Sequence, residues 1–220
     1  PVEQGPKNVP SFEPVFENQT RAPAVQTEAS VSVESLVGGL EHPWGIEVLP
    51  EGGYLVTERS GALRMVSADG TLGELIEGVP DVLNEGQGGL LDVALSADFA
   101  DSRVVYLSYA KPMPDGMNAT AAARGVLSED GTSLTDVQDI FVQDPPAQPA
   151  MHFGSRIVVD GDVVYVTTGE HSSPETRVFA QDLDKTYGKV VRITPEGDVP
   201  DGNPFADQEG AKQEIWTLGH

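Results

Sequence analysis

The sequence predicts an all-β protein, and three observations carry that prediction. Short runs rich in β-branched and aromatic residues recur, among them Tyr54-Leu-Val-Thr, Val104-Val-Tyr-Leu-Ser and Val163-Val-Tyr-Val-Thr. Such residues suit a pleated, half-buried surface. The runs return at intervals of about 50 residues, with Tyr54, Tyr106, Tyr165 and Trp216 in matching places. Helical spacing is weak throughout, while 24 Gly and 17 Pro in 220 residues divide the chain into short elements.

In chain order, residues 1–30 are proline-rich, lack hydrophobic alternation and read as an extended N-terminal arm. Residues 31–220 read as a single domain. Its first repeat is Gly45-Ile-Glu-Val-Leu, a polar turn and Tyr54-Leu-Val-Thr-Glu. Leu91-Asp-Val-Ala-Leu followed by Val105-Tyr-Leu-Ser-Tyr is the second. Ser155-Arg-Ile-Val-Val, the turn Asp160-Gly-Asp and Tyr165-Val-Thr-Thr-Gly form the third. Ile215-Trp-Thr-Leu-Gly-His reads as half of a fourth, with Lys189-Val-Val-Arg-Ile as the outer strand of the unit before it. Asp69-Gly70, Asp130-Gly131 and Asp160-Gly161 suit tight hairpins. Repetition at this period favours a β-propeller over a two-sheet sandwich. About four blades are expected, the last incomplete, so the chain reads as truncated before closure.

Composition narrows the partners. Thirteen Lys and Arg against 35 Asp and Glu leave a formal charge of −22, which repels nucleic acid and anionic membrane surfaces. The absence of cysteine excludes disulfides, thiolate metal sites and cysteine nucleophiles from this sequence. No apolar run reaches the roughly 20 residues needed to cross a bilayer. A chain beginning at Pro1 suits a mature, processed form.

In propellers the ligand end of the channel is lined by loops from several blades, so polar residues that interrupt the repeat are the candidates. Gln87 stands in Glu85-Gly-Gln-Gly-Gly, where glycines allow close approach to a ligand or simply a tight turn. His152 immediately precedes an apolar strand, and Glu170 follows the strand expected to pair with it. Both then fall at one end of a hairpin, where a carboxylate on one imidazole nitrogen leaves the other as a base. A histidine that merely satisfies a loop carbonyl fits the same spacing. His171, alone in a polar loop, suits either a substrate contact or a surface residue. Glu41-His42-Pro43 and the following Trp44 read as blade-edge packing, and Asp182 and Asp184 as solvated acids. No EF-hand spacing or phosphate-cradling loop is present.

Taken together, Glu41-His-Pro-Trp-Gly, Tyr54-Leu-Val-Thr-Glu-Arg, Gly86-Gln-Gly-Gly-Leu-Leu-Asp-Val, Met151-His-Phe-Gly-Ser-Arg, Tyr187-Gly-Lys-Val-Val-Arg and Ile215-Trp-Thr-Leu-Gly-His resemble the soluble PQQ-dependent sugar dehydrogenases. The resemblance runs from about residue 35 onward and favours the aldose sugar dehydrogenase branch. It implies a six-bladed propeller, periplasmic or secreted, that oxidises the C1 hydroxyl of aldoses to lactones. PQQ and calcium are the implied cofactors, and an external electron acceptor the implied partner. His152 would be the general base and a neighbour of the cofactor, Glu170 its carboxylate partner, and Gln87 a contact to sugar and cofactor. Met151 replaces an aspartate that contacts sugar in the glucose branch, and a thioether holds hydroxyls weakly, so altered sugar specificity is expected. Most PQQ ligands and the calcium ligands are implied to follow residue 220, so these residues alone are expected to be inactive unless a second chain completes the propeller. Two readings compete with the dehydrogenase: a calcium-dependent lactonase-type propeller and a propeller that only binds a ligand.

Overall fold

The computed structural model describes residues 6, 9–16, 19 and 25–220. The chain separates into residues 1–35 and residues 36–220. Much of the expected arm, including residues 1–5 and 20–24, lies outside the described residues; residues 25–35 are exposed and form no helix or strand.

Residues 36–220 form three four-stranded antiparallel sheets, each a simple meander in chain order. The first holds β1 (Pro43–Val48), β2 (Tyr54–Glu58), β3 (Ala62–Val66) and β4 (Leu72–Leu75). The second holds β5 (Leu90–Leu95), β6 (Val104–Pro112), β7 (Asn118–Leu127) and β8 (Leu134–Val142). The third holds β9 (Gly154–Asp160), β10 (Val163–Thr168), β11 (Lys189–Ile193) and β12 (Ile215–Leu218). Two helices of one turn, α1 (Phe99–Ser102) and α2 (Pro174–Arg177), sit in connections. The expected Asp-Gly turns close the β3–β4, β7–β8 and β9–β10 hairpins, with Gly70, Gly131 and Gly161 at φ of 85°, 70° and 58°.

The fourth, incomplete blade expected from the sequence does not form. Its strand, β12, is instead the outermost strand of the third sheet, with Val190 opposite Thr217. The long β11–β12 connection folds back because Asn203 Nδ2 donates to the carbonyls of Arg192 and Gln213, at 2.9 and 3.0 Å. The chain therefore returns beside β11 rather than starting a new sheet.

The first strands of the three sheets are neighbours: β1 packs on β5, and β5 on β9. Between sheets lie two cores. Leu49, Leu55, Leu63, Leu90, Val105 and Leu107 fill the seam between the first and second sheets. Val104, Tyr106, Ile157, Val164, Val166 and Val191 fill the seam between the second and third. The continuous apolar run in β6 follows from this: alternate side chains point into alternate seams, so both faces are buried. β7 shows the same logic in a helix-favouring sequence. Ala121 and Ala123 join one seam and Ala122 the other, all essentially fully buried. Tertiary packing overrides alanine's helix propensity here because only small side chains let both neighbours approach. A third, smaller cluster of Leu91, Ala110 and Phe153, with Trp44, Leu83 and Ala150 against it, joins all three sheets at one end.

Candidate active site

The β9–β10 hairpin places the best-supported pair. Thr168 lies opposite Gly154, so the residues just before β9 and just after β10 meet at one end of the sheet. There His152 Nδ1 stands 2.8 Å from Glu170 Oε2 and 3.0 Å from Oε1. A carboxylate can only accept, so Nδ1 carries the proton and donates. The lone pair of the neutral ring then lies on Nε2, which has no partner among the described residues. The Glu170 carboxylate is the more buried of the two, with 16% of its side chain exposed against 44% for His152. Burial pulls the Glu170 carboxyl upward, but the hydrogen bond from His152, its own backbone N–H and the charge of Arg177 outweigh it. Its pKa lies below the ordinary value, and the group stays anionic.

Local backbone holds this pair. His152 sits at φ 46°, a left-handed conformation uncommon outside glycine. Its N–H donates to Gln87 Oε1 at 2.9 Å. Its carbonyl lies flat against Gly169, where an added Cβ would stand 1.7 Å from the oxygen. On the Glu170 side, Ser173 caps α2 by accepting the Thr176 N–H at 3.0 Å. Thr176 Oγ1 in turn donates to the Glu170 carbonyl at 2.5 Å.

The pair opens on a cavity of about 390 Å³ lined by Trp44, Arg59, Gln87, Leu91, His152, Phe153 and Gly154. These residues come from all three sheets and their loops. Gln87 is therefore present as expected, but its carbonyl oxygen is spent on the His152 backbone. Its amide nitrogen has no partner among the described residues.

Several sequence-based expectations fare differently. His171 is not a surface residue: it is fully buried, and it does not line the cavity. Its Nδ1 faces the Pro149 carbonyl at 2.9 Å and its Nε2 faces Gln143 Oε1 at 2.7 Å. The ring packs edge-on to Phe153 at 5.1 Å, and burial pushes its pKa down. It supports the floor of the site from behind. Met151, also expected to touch substrate, is 43% exposed beside His152 and does not line the cavity. Trp44, read as edge packing, is a cavity wall whose ring lies 4.9 Å under the Arg156 guanidinium. Arg156 is itself held by Asp92 at 2.6 Å. Asp182 and Asp184 are solvated, as expected, and pair with Lys185. Arg59 is the residue sequence reasoning missed. Nothing local marked it, because its partners lie almost 30 positions further on.

Comparison with known proteins identifies the family. The glucose/sorbosone dehydrogenase family profile matches residues 40–220. The chain is 46% identical to aldose sugar dehydrogenase YliI of Escherichia coli K12 over 193 residues, 87% of this chain and 51% of that protein. The crystal structure of the soluble E. coli aldose sugar dehydrogenase in its apo form matches with a TM-score of 0.82 at 45% identity, over 86% of this chain and 55% of that one. The PQQ-bound aldose sugar dehydrogenase of Streptomyces coelicolor matches with a TM-score of 0.71 at 30% identity, over 86% and 53% respectively. The chain spans about half the length of the curated relatives it matches. With a family profile covering most of its length and a solved relative matching its fold at a TM-score of 0.82, the chain belongs to the glucose/sorbosone dehydrogenase family.

Proposed function

We propose that the protein carrying this chain oxidises the C1 hydroxyl of aldoses to lactones, with PQQ as the oxidant and His152 as the general base. The observation that supports this most is the His152–Glu170 pair: an imidazole anchored through Nδ1, with Nε2 free at a cavity. The same reading makes the three sheets blades of a six-bladed propeller, exported to the periplasm, that passes electrons to an external acceptor. Among the described residues no helix is long and apolar enough to cross a membrane.

The cavity suits one side of a planar quinone: Trp44 offers an aromatic wall and Gln87 a free amide nitrogen. When bound, PQQ supplies the two-electron acceptor for the hydrogen on C1. His152 Nε2 takes the hydroxyl proton, and Glu170 stabilises the imidazolium that results. Gln87 and Gly169 fix the base from its backbone side. Calcium belongs to the proposal as well. Among the described residues, no three His, Asp or Glu converge as metal ligands.

The test is aldose-dependent dye reduction by the full-length protein reconstituted with PQQ and calcium, beside a His152→Ala variant. A fall on the order of 10²–10⁴-fold with PQQ still bound supports the base assignment. A folded, PQQ-loaded protein that reduces dye with no aldose overturns the proposal.

A further inference from the structure

We infer that Arg59 is a positioning residue for the catalytic base, acting on His152 through the Gly86–Gly88 loop. The inference deepens the dehydrogenase reading and rests on it.

Arg59 follows β2 in the first sheet. Its backbone is fixed on both sides: its N–H donates to the His42 carbonyl and its carbonyl accepts the Leu90 N–H, each at 3.2 Å. From that anchor the guanidinium reaches the loop before β5. Nη2 donates to the Gly86 carbonyl at 2.7 Å and to the Gly88 carbonyl at 2.9 Å, and Nε to Gly88 at 3.2 Å. The two carbonyls flank Gln87, so one planar cation bridges the residue that carries the side chain of interest. Charge-assisted bonds of this kind are about twice as strong as neutral ones. Among the described residues, Arg59 is paired with no carboxylate. Its bonding is given to carbonyls.

The opposite side of the loop is closed by the third sheet's leading segment. Gln87 N–H donates to the Ala150 carbonyl at 2.9 Å. A Cβ on Gly86 would come within 2.3 Å of that same oxygen, and one on Gly89 within 2.1 Å of the Arg59 carbonyl. The glycines are what let the loop lie this thin between its two supports. Held there, Gln87 Oε1 accepts the His152 N–H at 2.9 Å and secures the strained φ of 46°. The line of contact is therefore Arg59, the Gly86 and Gly88 carbonyls, Gln87, the His152 backbone and then the imidazole on Glu170. Arg59 touches the base nowhere, yet each link is a hydrogen bond or a covalent neighbour.

The experiment compares wild type, Arg59→Met, Arg59→Lys, Gln87→Ala and the Arg59→Met/Gln87→Ala double variant in the full-length protein. Hydrogen exchange in the PQQ-free protein is expected to quicken about tenfold in residues 85–89 and 150–154 of Arg59→Met, and little elsewhere. With PQQ and calcium, kcat is expected to fall about 10–100-fold, because an error of about 1 Å at a base has that scale of effect. KM for aldose and the PQQ affinity should stay within about twofold. The double variant should be no slower than the slower single, as expected of residues acting in series. Arg59→Lys should restore only part of the loss, since a single ammonium cannot match the planar fork. It also supplies the comparison if the Met variant fails to fold. Unchanged exchange in these two segments overturns the inference, as do additive losses in the double variant. Lost PQQ affinity with unchanged exchange would instead make Arg59 a cofactor ligand. A wild type that reduces no dye defeats the dehydrogenase reading, while the exchange measurement still decides whether Arg59 holds the loop.

Discussion

Gly169→Ala tests the support of His152 most directly, because the cost can be worked from the coordinates. The glycine has ordinary backbone torsions, so alanine meets no conformational objection there. The objection is steric. The new Cβ would stand 1.7 Å from the His152 oxygen and 2.4 Å from its carbon, where ordinary contact is 3.4–4 Å. Something must move by about 1.7–2.3 Å. Gly169 is tethered, with its N–H on the Phe153 carbonyl and its carbonyl accepting from Gln143 Nε2 and the Gly188 N–H. His152 is thus the side that yields, and the 2.8 Å bond to Glu170 goes with it. A misplacement of about 1 Å can cost on the order of 100-fold in rate. Overpacking of this kind costs about 1–3 kcal/mol of stability, which is about 2–4 °C in Tm per kcal/mol for a domain of this size. Dye reduction and thermal unfolding of Gly169→Ala measure both. Gly38→Ala, where nothing lies within 4 Å, is the neutral control. Wild-type kcat and Tm in Gly169→Ala would refute the claim that this contact holds the base.

Further outcomes follow from other groups. Glu170 has a folded pKa below its ordinary 4.5, so its contribution to stability is complete above that value and is lost as pH falls through the lower, folded one. Thermal unfolding of wild type and Glu170→Gln should therefore differ near neutral pH and converge in acid as pH falls through that lower, folded pKa; a constant gap would contradict the pairing. Lys189, fully buried, donates to the carbonyls of Phe179, Ala180 and Tyr187 at 2.9, 3.0 and 2.7 Å. Lys189→Met strands those acceptors and should cost at least about 1–3 kcal/mol by urea unfolding. Burial also pushes the Lys189 ammonium down to about 8, so its penalty on the folded state should shrink as pH rises from there toward 10.5. Asp92, raised by burial and held down by the Ile157 N–H and Arg156, should destabilise the fold when Arg156→Met removes its cation. Equal urea midpoints for wild type and Arg156→Met would show the bridge to be idle.

What could be read without coordinates depended on how local the cause was. The β9–β10 hairpin was legible because Asp160-Gly161 and the flanking valines are contiguous, and that hairpin alone brings His152 to Glu170. β12 was misread for the opposite reason. Trp216 repeats the tyrosine spacing, but it lies 6.1 Å from Tyr165 on one sheet, across a connection closed by Asn203. His171 stands in a polar loop whose sequence advertises solvent, yet Gln143 and Pro149, more than 20 positions earlier, roof it over. Trp44 reads as edge packing and Arg59 goes unmarked in the sequence because their roles appear only where separate sheets meet. β7, alanine-rich, became a strand only because two seams needed thin side chains.

On the proposed function, the distribution of the site over three sheets makes catalysis a readout of docking. Trp44 and Arg59 arrive with the first sheet, Gln87 with the approach to the second, and His152 and Glu170 with the third. Each sheet can retain its own hydrogen bonds while the seams slip, and sub-global opening of that kind precedes full unfolding in many proteins. Such a slip would scatter the cavity while leaving most strand pairing intact. Turnover should therefore fade at lower urea than the backbone signal does, and a mutation buried in a seam is expected to abolish the proposed activity from a distance without touching any residue of the cavity.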